Sequence, residues 1–138
     1  MMLGLVVILF ILRISSERRP QAPDLAADCA RPAFALSKTS VVPAGPVAFT
    51  MVGPAGRRYA LGVDVATFSE TGAPVPKAGY ETTALVPDDG KKPMPKECVK
   101  EGFFALPVPP GTHTVTMYEL TDRGAVFVAE QPVEVTEP

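Results

Sequence analysis

Proline constrains this chain more than any other feature. The 138 residues include 16 prolines, spread along the chain, and 11 glycines. A proline costs a helix interior about 3 kcal/mol and cannot donate to the ladder of a central strand. A chain punctuated this often is built from short elements joined by many turns. Between the breakers, apolar residues recur at a period of two, the pattern of strands with one buried face.

That pattern predicts an all-β domain. Residues 33–37 with 39–42 read as a first edge strand, kinked near Lys38, and Pro43-Ala44-Gly45 as a turn. Pro46 to Val52 reads as a second strand with Val47, Phe49 and Met51 on one face. Arg58 to Phe68 is the clearest strand, with Tyr59, Leu61, Val63 and Val65 facing one way. Residues 69–97 read as a long, charged, Pro-rich segment with one short strand candidate at Tyr80 to Leu85. Phe103 to Val108, His113 to Leu120 and Ala125 to Val135 complete the set, with a hairpin turn at Thr121-Asp122-Arg123-Gly124. Pro132 confines the second half of the last strand to an edge or a bulge.

The first residues belong to none of this. Met1 to Leu12 carries no polar side chain, and Ile14 extends the run past Arg13. As a helix, residues 1–16 would span roughly 24 Å, short of the ~30 Å hydrocarbon core unless Arg13 snorkels or the bilayer thins. A cleaved signal peptide needs small residues after the apolar run, and the chain instead continues Arg13-Ile14-Ser15-Ser16-Glu17-Arg18-Arg19. Lipidation at Cys29 is disfavoured by Asp28 before it. The favoured division is a single transmembrane anchor at 1–16, a linker at 17–32 and a β-domain at 33–138. Membrane lipid is then one partner. The arginines that follow the anchor favour a cytoplasmic domain, whereas the cysteines favour an extracytoplasmic one, and the latter is preferred. From Pro20 onward there are 10 Lys and Arg against 14 Asp and Glu, a net of −4. Without a basic stripe, nucleic-acid binding is not expected.

The stretch Gly102-Phe103-Phe104-Ala105-Leu106-Pro107-Val108-Pro109-Pro110-Gly111-Thr112-His113-Thr114-Val115 resembles the E-strand, turn and F-strand of immunoglobulin-like and fibronectin-type domains. The likeness extends over 33–136 and is most specific over 102–136. It implies an Ig-like β-sandwich of about seven strands and carries no activity with it. The Trp of strand C and the B–F cysteine pair of antibody domains are absent.

Only Cys29 and Cys98 are present, with no CxxC and no Cys/His cluster, so no metal site or cofactor is expected. They are either two separate thiols or one disulfide. In the strand order the resemblance implies, they precede strands A and E, which run parallel and begin at one end of the sheet. A disulfide is the expected outcome, typical of an exported domain.

The sole histidine, His113, lies near the start of strand F, where Ig-like domains place a corner tyrosine that bonds back to the chain. It is expected to serve as a structural corner residue. A Ser/His/Asp reading would recruit Asp64 or Asp122, but no GxSxG elbow exists. Asp88-Asp89 and Glu130/Glu134 read as solvated surface rather than glycosidase carboxylates, because such chemistry needs a cleft with aromatic platforms and the chain has no Trp. The chain is therefore read as a non-enzymatic, membrane-anchored binding or scaffold domain, an accessory subunit beside an integral-membrane or cell-surface partner. The alternative is a secreted ligand- or surface-binding module released by cleavage. The partner-binding candidates are Tyr80, Leu85, Lys91 and Lys92 within 69–97, where aromatic and basic side chains suit an acidic partner surface.

Overall fold

A computed structural model describes residues 21–25, 28–70, 73–81, 83–85 and 92–137. The proposed anchor at 1–16, Lys91 and the Asp88-Asp89 pair lie outside the described residues. Ten strands form among the described residues: β1 (Ala33–Leu36), β2 (Ser40–Val41), β3 (Pro46–Val52), β4 (Arg58–Val63), β5 (Val65–Phe68), β6 (Pro74–Pro76), β7 (Thr83–Ala84), β8 (Val99–Ala105), β9 (Gly111–Thr121) and β10 (Gly124–Val135). They make a three-stranded sheet ordered β1-β3-β8, a five-stranded sheet ordered β2-β10-β9-β4-β7 and a two-stranded sheet β5-β6. Among the described residues no helix is long and apolar enough to cross a membrane.

One core joins the two larger sheets. Val47, Phe49 and Met51 of β3 and Phe104 of β8 meet Leu61 and Val63 of β4, Val115 and Met117 of β9, and Val133 and Val135 of β10. The alternation read from sequence thus picks the inward face correctly in β3, β4 and β9. It does not reveal that the opposite face of β3 is covered too. Ala48, Thr50 and Val52 are also buried, and the Thr50 hydroxyl donates to the carbonyl of Pro23, so the linker lies against this strand. At Gly102 the β8 backbone passes directly beneath the Phe49 ring, where a Cβ would sit 2.7 Å from its Cζ.

Among the described residues ten strands replace the expected seven: two long runs are each cut in two, and β6 adds a strand within 69–97. The first breaks at Ser37, whose backbone and side chain both bond to Ala48 and end the ladder with β3. The chain then changes sheets, and β2 pairs parallel with the end of β10. The run 58–68 breaks at Asp64, which adopts a left-handed φ of 55°. Asp tolerates that conformation better than most residues. Beyond it β5 leaves the sheet and pairs with β6, and Phe68 lies against Tyr118 at 4.8 Å between ring centroids.

Two other expectations need correction. The strand placed at 103–108 is β8, at 99–105: Val99, Lys100 and Glu101 pair with β3 although Lys100 and Glu101 are charged, as an edge strand permits. Leu106 enters the core beyond the end of the strand. The segment 69–97 is not a free loop where it is described. Its strand β6 pairs with β5 and its strand β7 with β4, and Leu85 N–H donates to Leu61 O. Met94 is buried and exchanges backbone hydrogen bonds with Arg57 and Gly56. Pro132 does sit on an edge: β2 reaches only Glu134 and Val135 of β10.

Candidate functional site

Asp64 and His113 organise the end of the molecule where β4 stops and β9 begins. Asp64 N–H donates to Thr114 O at 2.8 Å, and Asp64 Oδ1 accepts from Thr114 N–H at 3.0 Å. The side chain thereby stands in for the backbone carbonyl that the left-handed turn has swung away. The other carboxylate oxygen, Oδ2, lies 2.6 Å from His113 Nδ1, and His113 Nε2 lies 2.7 Å from Pro109 O. Both side chains are almost fully buried, with His113 only 3% and Asp64 2% exposed.

Counting protons fixes what this pair can do. A carbonyl oxygen only accepts, so Nε2 carries a hydrogen and donates it to Pro109. One further proton lies on the short Nδ1···Oδ2 line. Neither ring nitrogen is left with a lone pair open to the cleft, so the imidazole is committed to tethering the 106–110 connection to β4. The tether to Pro109, four residues upstream, is the backward bond expected of a corner residue.

A cleft of about 240 Å³ opens above the pair, lined by Asp64, Gly79, Tyr80, Glu81, Pro107, Val108, Pro109 and His113. Tyr80 stands edge-on to His113 with centroids 5.7 Å apart and planes at 80°, and it is 44% exposed. The turn that carries it is closed by Tyr80 N–H donating to Lys77 O. Lys77 N–H in turn donates to Asp64 O, so Asp64 positions both walls of the cleft.

The structure places the sequence-predicted residues as follows. Cys29 and Cys98 form a disulfide with Cα atoms 5.4 Å apart. β1 and β8 flank β3 and are both antiparallel to it, so they start at the same end, as the bridge requires. Tyr80 reaches the cleft. Leu85 packs instead against the core beside β4. Lys92 is exposed, and its carbonyl accepts from Lys100 Nζ. It lies two residues from Met94, at the Arg57 end of β4, whereas Tyr80 lies at the Asp64 end, so Tyr80 and Lys92 are separated by roughly 20 Å of strand. Tyr80 and Lys92 therefore do not share one patch. Sequence reasoning did not single out Gly79, Glu81, Pro107 and Pro109 as cleft residues. The available signal was an Asp inside an apolar strand together with a single His.

At the opposite end, Tyr59 is buried against Gly53. Burial, and then the Glu119 carboxylate, push its phenol pKa up, with Arg57 partly opposing. Its hydroxyl makes no hydrogen bond of acceptable geometry. Burial also raises Tyr118.

No family model matches the chain, and no curated protein matches it either. A solved structure described as a chitin binding domain from Burkholderia pseudomallei is similar at 16% identity and a TM-score of 0.37. The similarity covers 73% of this chain and 57% of that one, and at that TM-score it carries no functional argument.

Proposed function

We propose that this protein is a non-enzymatic, membrane-anchored, extracytoplasmic binding or scaffold domain, acting as an accessory subunit beside a membrane partner. The observation that carries the reading is the Cys29–Cys98 disulfide, because such bonds persist in oxidising compartments and are rare in the cytosol. It ties the linker, which follows the apolar N-terminal segment, to the start of β8. The sole histidine supports the non-enzymatic part, since both its nitrogens are spent on the fold. An Ig-like sandwich is the architecture we assign: β1-β3-β8 and β10-β9-β4 correspond to the A-B-E and G-F-C orders of such domains. A short anchor suits a subunit whose apolar segment packs on partner helices, because alone it would be poorly matched to the bilayer.

The test is fractionation of cells expressing the full chain, with thiol labelling before and after reduction, then purification in mild detergent and identification of what accompanies the protein. We expect a carbonate-resistant membrane protein, blocked to labelling until reduced, with stoichiometric membrane partners. A soluble protein with two free thiols would refute the reading.

A further inference from the structure

Several hydrogen-bond donors of the cleft walls are already used within the fold, while an aromatic ring and an acidic residue remain exposed along it. Pro107 and Pro109 have no N–H. Tyr80 N–H is taken by Lys77 O, Asp64 N–H by Thr114 O, and both His113 ring nitrogens face oxygen atoms. Glu81 is exposed and lines the cleft, and its neighbour Tyr80 is half-exposed there. Two prolines, a half-exposed aromatic ring and an acidic residue make this lining largely apolar with a negative rim. Its complement is a flat or slender group that brings its own donors and a positive charge.

We propose that this cleft receives a cationic side chain, an arginine guanidinium foremost, presented by a partner protein. The volume of about 240 Å³ suits one side chain rather than a larger organic ligand. A guanidinium stacks on a tyrosine ring and pairs in its plane with a carboxylate, whereas an ammonium does only the second well. The net of −4 from Pro20 onward favours the approach of a basic partner. The buried Asp64–His113 pair acts as the rigid floor, holding the Tyr80 turn against the Pro107–Pro109 wall. The proposal deepens the binding-domain reading and rests on it.

The test is amide chemical-shift titration of the full chain in detergent micelles with N-acetyl-arginine amide. The neutral N-acetyl-norleucine amide and the neutral sugar cellotriose serve as comparators. We expect saturable shifts at Gly79, Tyr80, Glu81 and Val108 with the arginine probe alone. Tyr80→Ala and Glu81→Gln should each weaken binding by about two- to five-fold, as exposed cation–π contacts and ion pairs do. Both positions are exposed, so neither change threatens the fold. Lys77→Ala, which removes the nearest cation along the chain, should leave binding unchanged or tighten it. Equal shifts with the norleucine probe, shifts with cellotriose alone, or no cleft shifts at millimolar arginine probe would each overturn the proposal. None of those results bears on membrane location or the disulfide, so failure here is distinct from failure of the proposed function.

Discussion

Replacing Asp64 separates the roles of its charge, its hydrogen bonds and its backbone conformation. In Asp64→Ala, His113 Nδ1 and Thr114 N–H both lose their buried partner. Each orphaned group costs about 1–3 kcal/mol. Alanine at a φ of 55° adds roughly 1 kcal/mol of backbone strain. The sum is about 3–7 kcal/mol, which brackets the roughly 3–5 kcal/mol found when one member of a buried pair is removed, and it consumes much of a total stability of about 5–15 kcal/mol. Asp64→Asn behaves differently. Its amide oxygen still accepts from Thr114 N–H, and its NH₂ can donate to Nδ1 of a neutral ring whose Nε2–H stays on Pro109. Asn also tolerates the left-handed turn, so the expected loss is about 1 kcal/mol, the difference between a charge-assisted and a neutral bond. Thermal denaturation followed by circular dichroism reads this directly. At about 4 °C per kcal/mol for a domain of this size, Asp64→Ala should lower Tm by at least ~12 °C and Asp64→Asn by only a few degrees. If the two substitutions cost the same, or if Asp64→Ala costs under ~1 kcal/mol, the reasoning about this pair is wrong.

Other expectations are independent of that pair. Opening the Cys29–Cys98 bridge, which spans 69 residues, should cost about 4 kcal/mol by loop entropy; denaturant unfolding with and without reductant measures it, and an unchanged midpoint would contradict it. Gly102→Ala should cost about 1–3 kcal/mol by overpacking, because the Phe49 ring it meets is fully buried and cannot swing aside; combining it with Phe49→Leu should recover part of the loss in the same melting experiment. Tyr59→Phe should be neutral or stabilising by up to about 1 kcal/mol at neutral pH, since it removes a buried hydroxyl without a partner. Tyr59 and Tyr118 both have pKa values raised above 10.0 in the fold, so the unfolded chain releases those protons first. Their contribution is intact below about pH 10 and is lost as pH climbs through the folded values; a double phenylalanine variant should flatten the alkaline limb of a stability-against-pH curve.

Local physics made part of this legible in the sequence. Period-two alternation is a property of the strand itself, so Val47, Phe49 and Met51, and Val115 and Met117, announce their inward face without any knowledge of partners. Thr121 to Gly124 likewise form their turn where the breakers fall, with the Thr121 hydroxyl closing on Gly124 O. The pairing of the cysteines followed from strand direction once an order was assumed. His113 carried its own signal as the lone titratable ring beside a Pro-Gly turn.

What the sequence left open depends on groups distant along the chain. Arg58 to Phe68 alternates without interruption, and nothing local shows that it breaks at Asp64. The break exists because His113 and Thr114, about fifty residues later, supply the partners that stabilise a buried carboxylate and a left-handed turn. Met94 has no periodic neighbours among prolines and lysines, and only the space beside β4 makes it a core residue. The cleft is of the same kind: Gly79, Glu81, Pro107 and Pro109 look like unremarkable residues until the Asp64–His113 tether brings two connections together beside Tyr80. Strand existence and facing were set by side-chain periodicity, which is local. Strand breaks, sheet changes and the cleft were set by hydrogen-bond satisfaction in a buried environment, which only the folded chain defines.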